Sequence, residues 1–348
     1  MKKILITGVT GQDGSLMADY LLENTKHTII GGVRRLSVKN HTNIAHLLKN
    51  PRFFLIDLDV TDSQNIDRVI QEQKPDYFIN FAANSFVGCS WDMAHNHMQT
   101  NCMAVLHQLE AIRRHAPSCR YYNAGSSEEF GDVVTTPQNE EHPLRPRSPY
   151  GASKCAARHL VKVYRDSYDL YAVQGWLFNH EGVRRGEEFV TRKITKNVAR
   201  ILKEFEQGKE ITPLELGNLD TKRDWSDAED FISGIWRMLN QNRENPKDYV
   251  LSSNETHTIK EFVVEAFNFA GFHRSICDWK GEGLDEKYFH GKDCFVRINK
   301  DFYRPAEVDL LWGDSTKARE ELGWTPKSSF IQLVKKMVDR DTASVMYP

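Results

Sequence analysis

Three glycines spaced three apart, Gly8, Gly11 and Gly14, follow a short apolar run at 3–7 and lead into a segment, 16–22, whose apolar residues recur at helical spacing. Strand, tight turn and helix in that order restrict how the first part of the chain can fold. Glycine lets the turn tighten and lets backbone N–H groups approach a pyrophosphate, which the helix N-terminus then stabilises. The triplet by itself also suits a merely tight turn between strand and helix. The flanking strand and helix are what direct the reading toward a dinucleotide.

Further apolar runs at 28–33, 53–58, 76–83, 120–124 and 172–178 each lie beside a segment that suits a helix. Repeated strand–helix units predict an α/β fold with a doubly wound parallel sheet covered on both faces. Past residue 178 the rhythm breaks. A polar, basic stretch (HEGVRRGEEFVTRK) precedes a helical run at 194–207, then 224–239 again reads as helix and 249–252 as a returning strand. The expected organisation is a nucleotide-binding domain from 1–178 plus about 219–252, with a smaller interleaved α/β lobe from about 179–218 plus 253–348. Near residue 315, Asp314 or Ser315 can cap a helix that stops at Gly323, ahead of Pro326.

Length and charge narrow the function classes. The 348 residues suffice for a large core, and 46 Lys and Arg against 48 Asp and Glu leave a net charge of −2. No overall field would hold such a chain on nucleic acid or on an anionic membrane, so neither is an expected partner. No apolar run approaches a signal core or a membrane span. The six cysteines are spread widely without a C-x-x-C pair or a His cluster at zinc spacing, which suits reduced thiols in a cytoplasmic protein without a structural metal.

About 20 residues beyond a glycine turn, an NAD site presents an acid to the ribose 2′-hydroxyl. This chain presents Gly31, Gly32, Val33, Arg34 and Arg35 there. Two guanidiniums in place of the acid predict NADP, although a solvated basic loop would have the same composition. Asp59, after the third run, suits the adenine amino group or, within D-x-x-D, a helix cap.

Ser148-Pro149-Tyr150-Gly151-Ala152-Ser153-Lys154 reads as a helix start, with Ser148 as cap and Pro149 in the first position. Tyr150 and Lys154 then share a face, where an ammonium can lower the phenol's pKa and make it a base for an alcohol that loses hydride. On spacing alone the pair also suits a surface helix. Gly125-Ser126-Ser127-Glu128-Glu129-Phe130-Gly131 closes the fifth run, at the end of a strand that should face the ligand crevice. There Ser126 can hydrogen-bond a reacting oxygen, and Glu128 can exchange a proton with carbon next to a carbonyl. Equally, the serines can cap a turn while the glutamates lie in solvent.

These residues resemble the extended short-chain dehydrogenase/reductases, and within them the GDP-mannose 4,6-dehydratases. GVTGQDGS, the VRR after the second strand, RSPYGASK, LFNHE, RRGEEFVTRKI, LGNLDTKRDW and YRPAEVD all look like that family's blocks. The resemblance implies oxidation of the sugar at C4 by bound NADP, elimination of water across C5 and C6, and return of the hydride to C6. It makes Tyr150 the base at the C4 hydroxyl, Lys154 its pKa-lowering partner, Ser126 the counterpart of a usual threonine, and Glu128 the group that takes the C5 proton. It also assigns Gln12 and Asp13 within the turn, and Ser85, to the cofactor. Asn179, Thr191, Arg192, Lys193, Arg223, Arg304 and Glu307 fall in blocks that line the family's GDP-sugar pocket. Homodimers or homotetramers are expected, with the loop from about 35 to 43 reaching a neighbouring cofactor.

The chain departs from the family pattern at Ser126, at Glu129 and Phe130 (usually an apolar residue and a tyrosine), at Val183 (proline) and at Ser226-Asp227 (glycine-histidine). Val183 and Ser226 suggest GDP-D-glycero-manno-heptose beside GDP-mannose as substrate. A sugar-nucleotide 4-dehydrogenase or 4-epimerase would use Tyr150 and Lys154 but not Glu128. A non-catalytic NADP-sensing protein would need neither Tyr150 nor Lys154.

Overall fold

The computed structural model describes residues 1–242, 244, 246–302 and 310–347. The first apolar run is strand β1 (Lys3–Thr7), and the glycine turn opens helix α1 (Gln12–Asn24). The alternation continues through β2 (Thr28–Val33), β3 (Phe53–Asp57), α2 (Ser63–Gln73) and β4 (Tyr77–Asn80). A short helix, α3 (Ala94–Met98), passes through one π turn at Gln99–Met103 into α4 (Ala104–His115). Then come β5 (Arg120–Ala124), α5 (Pro149–Tyr168) and β6 (Ala172–Leu177). Ser148 caps α5 by accepting from the Gly151 N–H at 3.0 Å, with Pro149 in the first turn.

The second half supplies β7 (Asn179–Glu181), α6 (Val190–Glu206), β8 (Leu214–Leu216), β9 (Lys222–Arg223), β10 (Trp225–Asp227) and α7 (Ala228–Met238). Strands β11 (Val250–Leu251) and β12 (His257–Thr258) lead into α8 (Ile259–Phe269). Three more strands, β13 (Cys277–Lys280), β14 (Lys287–His290) and β15 (Asp293–Ile298), precede β16 (Leu310–Leu311), α9 (Thr316–Leu322) and α10 (Phe330–Met346). The expected helix at 224–239 thus begins only at Ala228. Asp227 caps it by accepting from the Glu229 N–H at 3.0 Å, and the residues ahead of the cap pair as strand instead.

Seven strands form one sheet in the order β11-β6-β5-β4-β1-β2-β3, every pairing parallel. Successive side chains of β1 go to opposite faces. Ile4 and Ile6 pack with Met17, Leu21, Phe231 and Ile235 of α1 and α7, while Leu5 packs with Val69, Val105, Leu109 and Val161 of α2, α4 and α5. This is the doubly wound arrangement expected from near-continuous apolar runs. A separate core joins α6, α8 and α10 to the sheet β13-β14-β15-β8, around Trp225, Phe262, Phe267 and Phe330. Trp324 and Ala318 of the α9 region pack on the α1–α7 side of the large sheet. The six cysteines are free thiols, and among the described residues no helix is long and apolar enough to cross a membrane.

The carboxyl ends of the central strands carry a buried polar ladder. Thr7 donates to Asn80 at 2.6 Å, Asn80 to Asn123 at 2.7 Å and Asn123 to Gln174 at 2.6 Å, each pair standing opposite in the strand register. Each bond contributes about 1 kcal/mol, but a slip of one residue would bury several unpaired amides. The ladder therefore holds the strand ends in register where the ligand crevice opens.

Asp224 fastens the second half in a similar way. Its Oδ1 accepts from the Ser253 N–H and hydroxyl at 2.7 and 2.6 Å, and Oδ2 from the Asn254 and Gly313 N–H groups at 3.1 and 3.3 Å. Burial pushes its carboxyl up to about 7 against the pull of these donors. Asp224→Asn would turn an NH₂ toward two of them and should cost about 2 to 3 kcal/mol in urea unfolding. Because the folded pKa is raised from 3.8 to about 7, the aspartate loses stabilisation as pH rises through that window. The gap between wild type and variant should therefore close between pH 4 and pH 7 and then reverse.

Candidate active site

A cleft of about 1390 Å³ opens at the carboxyl ends of the large sheet and runs on to the second core. At its base the glycine turn is as tight as the sequence suggests. Gly8 has φ +66°, and a Cβ there would lie 2.7 Å from the Ala82 nitrogen, while one on Gly14 would lie 2.3 Å from the Gly8 carbonyl oxygen. Gly11 differs: a Cβ would meet only the Gly8 oxygen, at 3.3 Å, so its missing side chain leaves room on the cleft wall. Gln12 is buried on the same wall with its Oε1 unpartnered. A backbone cradle, a helix N-terminus and an orphaned acceptor fit a dinucleotide.

The other cofactor candidates also reach this cleft. Arg34 and Arg35 are exposed at the end of β2, and Asp59 and Ser85 line the same wall. The cap of α2 is Asp62, accepting from Gln64 and Asn65, whereas Asp59 holds the N–H and hydroxyl of Thr61 at 2.9 and 2.7 Å. Asp13 reaches His180 Nε2 at 2.9 Å. Burial raises the Asp13 carboxyl, yet the charge and hydrogen bond of His180 overcome it and hold the group at about 2. His180 in turn is raised, despite its burial, by Asp13, and its ring stacks 4.8 Å from that of Phe231.

Ser126, Glu128, Tyr150 and Lys154 all line the cleft. Ser126 does cap the short turn Ser127–Glu129, but the two glutamates part company. Glu128 is half-buried on the cleft wall, and Glu129 points inward to Arg158 and is fully buried, not in solvent. The expected lowering of the phenol by the ammonium is not among the main influences on Tyr150. Burial pushes Tyr150 up to about 12, a hydrogen bond with Ser126 pulls it down, and the carboxylates of Glu128 and Glu129 raise it further. Lys154 donates instead to the Ala124 carbonyl at 2.8 Å, and burial lowers it to about 8 against the charges of Glu129 and Asp13.

Residues 5–337 match the sequence profile described as GDP-mannose 4,6 dehydratase. The GDP-mannose 4,6 dehydratase of Drosophila melanogaster is 44% identical over 350 residues, which take in 98% of this chain and 86% of that protein. The chain belongs to the GDP-mannose 4,6-dehydratase family. Members are hydro-lyases. The fold is shared with dTDP-glucose 4,6-dehydratase from Bacillus anthracis, solved with NAD, at a TM-score of 0.79 and 22% identity over 100% of this chain and 98% of that one. It is shared too with RMD from Pseudomonas aeruginosa, solved with NADPH, at a TM-score of 0.75 and 21% identity over 99% of this chain and 100% of that one.

The blocks that resemble the family's GDP-sugar pocket divide in space. Asn179, Lys193 and Arg223 line the cleft, with the Lys193 ammonium 3.7 Å from the centre of the Phe302 ring. Thr191 and Arg192 do not. They lie on the inner face of α6, where Thr191 donates to Glu181 at 2.5 Å and Arg192 pairs with Asp341 at 2.8 Å, so both are spent on packing. Arg304 and Glu307 lie outside the described residues. Val183 and Ser226, the two departures from the family that suggested the heptose, are not on the cleft wall.

Among the cleft residues that the sequence reading did not single out are His180 and Arg185. The Arg185 guanidinium lies 3.6 Å from the centre of the Phe189 ring and 3.1 Å from Glu181. The signal was in LFNHE and RRGEEF, where a histidine next to the strand-end asparagine and a paired arginine stand two and seven residues beyond Phe178. The Asp13–His180 pair yields a prediction. With its pKa depressed from 3.8 to about 2, Asp13 contributes about 2 kcal/mol above pH 4 that vanishes as pH falls toward 2. Denaturant titrations of Asp13→Asn should show that deficit at pH 7 and a shrinking one between pH 4 and pH 3.

Proposed function

We propose that the protein dehydrates a GDP-activated manno sugar to its 4-keto-6-deoxy derivative, with NADP as resident cofactor. The observation that carries this reading is the convergence of a phenol, an ammonium, a hydroxyl and a carboxylate on the cleft that holds the glycine turn. The turn at Gly8, Gly11 and Gly14 would hold the cofactor's pyrophosphate, and the bound dinucleotide would supply a hydride acceptor for C4 and a hydride donor for C6. Tyr150 takes the proton of the C4 hydroxyl while Ser126 hydrogen-bonds the same oxygen. The resulting ketone acidifies the hydrogen on C5, which Glu128 removes and passes to the departing C6 hydroxyl as water. The proton withdrawn from O4 balances the one that C5 regains, so only water is lost. Burial favours the phenol, the Ser126 hydrogen bond and the Arg185 charge work against that, and Lys154 would supply positive charge near the developing phenolate.

The sugar is mannose or its manno-heptose homologue. Arg34 and Arg35 favour NADP, because two guanidiniums occupy the place of the acid that would hold a 2′-hydroxyl.

Each sugar nucleotide, incubated separately with the protein, should lose the mass of one water without change in free NADPH. Glu128→Gln should bind cofactor and nucleotide yet lower turnover about 10²- to 10⁴-fold, and Tyr150→Phe should block the hydride step as severely. An epimerase or simple dehydrogenase would be indifferent to Glu128→Gln. Replacing Arg34 and Arg35 together with serine should weaken NADP binding, measured by calorimetry, about 10- to 100-fold while leaving NAD binding unchanged.

A further inference from the structure

The polar ladder ends on a buried ion pair that the reaction as proposed does not use. Glu129 is fully buried, its Oε1 accepting from the Ser126 N–H at 2.8 Å and from Gln174 at 3.0 Å, while its Oε2 faces Arg158 Nε in close contact. Arg158 donates onward to the carbonyls of Gln174 and Gly175 at 2.8 and 3.2 Å, and its guanidinium lies 3.4 Å from the centre of the Trp176 ring. Gln174 also donates to the Lys154 carbonyl at 3.1 Å. One carboxylate thereby ties the turn that bears Ser126 and Glu128 to the helix that bears Tyr150 and Lys154, with β6 as the common floor. Gly125 makes the room, since a Cβ there would lie 2.7 Å from Glu129 Oε1 and 2.2 Å from the Gly175 oxygen.

Stability is a weak reason for such a pair, because well-packed apolar residues usually serve as well or better in a core. We propose that Glu129, with Arg158, is a positioning residue for the dehydration, setting the distance between the Ser126–Glu128 turn and the Tyr150–Lys154 helix and tuning the field at both. This rests on the reaction proposed above.

The field has a definite sign. Burial lowers Lys154, and Glu129 and Asp13 raise it; burial raises Tyr150, and Glu128 and Glu129 raise it further while Arg185 lowers it. The other charged groups at the pair are Arg158 itself and Asp248, 3.6 Å from Arg158 and held by Arg165 at 2.9 Å. Removing the Glu129 charge therefore lets both Lys154 and Tyr150 titrate at lower pH.

The test uses the full chain loaded with NADP, GDP-mannose as substrate, and two variants. Glu129→Gln keeps the length and loses the charge, so kcat should fall about tenfold and the basic limb of its pH profile should move down by about one unit, with KM within about twofold. Glu129→Asp keeps the charge but is too short to reach both Ser126 and Arg158, so kcat should fall while the limb stays where it is. A merely structural role would lower the unfolding temperature and leave the pH limb in place in both. Wild-type kcat in the folded Asp variant, or an unmoved limb in the Gln variant, overturns the inference; if the Gln variant does not fold, the Asp variant decides alone. A wild-type protein that fails to dehydrate GDP-mannose and its heptose homologue would instead overturn the proposed reaction.

Discussion

Side-chain hydrogen bonds running across the sheet at one level, Thr7 to Asn80 to Asn123 to Gln174, hold together what would otherwise be separate strand ends. Apolar burial accounts for the existence of the sheet but is indifferent to small relative displacements of its strands. Amides buried without water are not indifferent, because each must meet its one partner. The glycine turn follows one end of this row, since Thr7 also accepts from the Ala82 N–H at 3.3 Å next to Gly8. The other end meets Glu129 and Lys154. The glycine turn and the titrating groups of the cleft are thus parts of one hydrogen-bonded frame.

Within that frame, burial is the strongest influence on the titrating groups. It raises Tyr150 and lowers Lys154, opposite in sense because one is neutral and the other charged when protonated. The ammonium's hydrogen bond goes to Ala124, and it is Ser126 and Arg185 that pull the phenol down against its burial. Asp13 and His180 depart from that rule, since their mutual attraction beneath the glycine turn holds the carboxyl low and pushes the imidazole up against the burial of both.

Much of this was legible in the sequence, for reasons that differ by element. Parallel strands buried on both faces read as unbroken apolar runs, so 3–7, 28–33 and 120–124 coincide with β1, β2 and β5. Tyr150 and Lys154 share a face because a helix places residues four apart together, and Ser148-Pro149 marks where that helix starts. The family, carried by several blocks at once, was legible too. Thr191 and Arg192 were not. Their block borders the cleft, but which side of α6 faces it depends on Asp341, 149 positions beyond Arg192, and nothing local encodes that partner. Likewise, Trp225–Asp227 has the apolar periodicity of the helix that follows it, and only pairing with Asn179–Glu181 draws it into a strand. Glu129 looked like a surface charge because the arginine that neutralises it sits 29 residues away.

Despite that separation, the two positions respond to mutation as one. A glutamate at 129 without Arg158, or the arginine without the glutamate, would leave a bare charge in a dry interior, and a side chain larger than hydrogen at Gly125 would exclude both. Removing either one alone is therefore costly, whereas exchanging both together for well-packed apolar residues need not be.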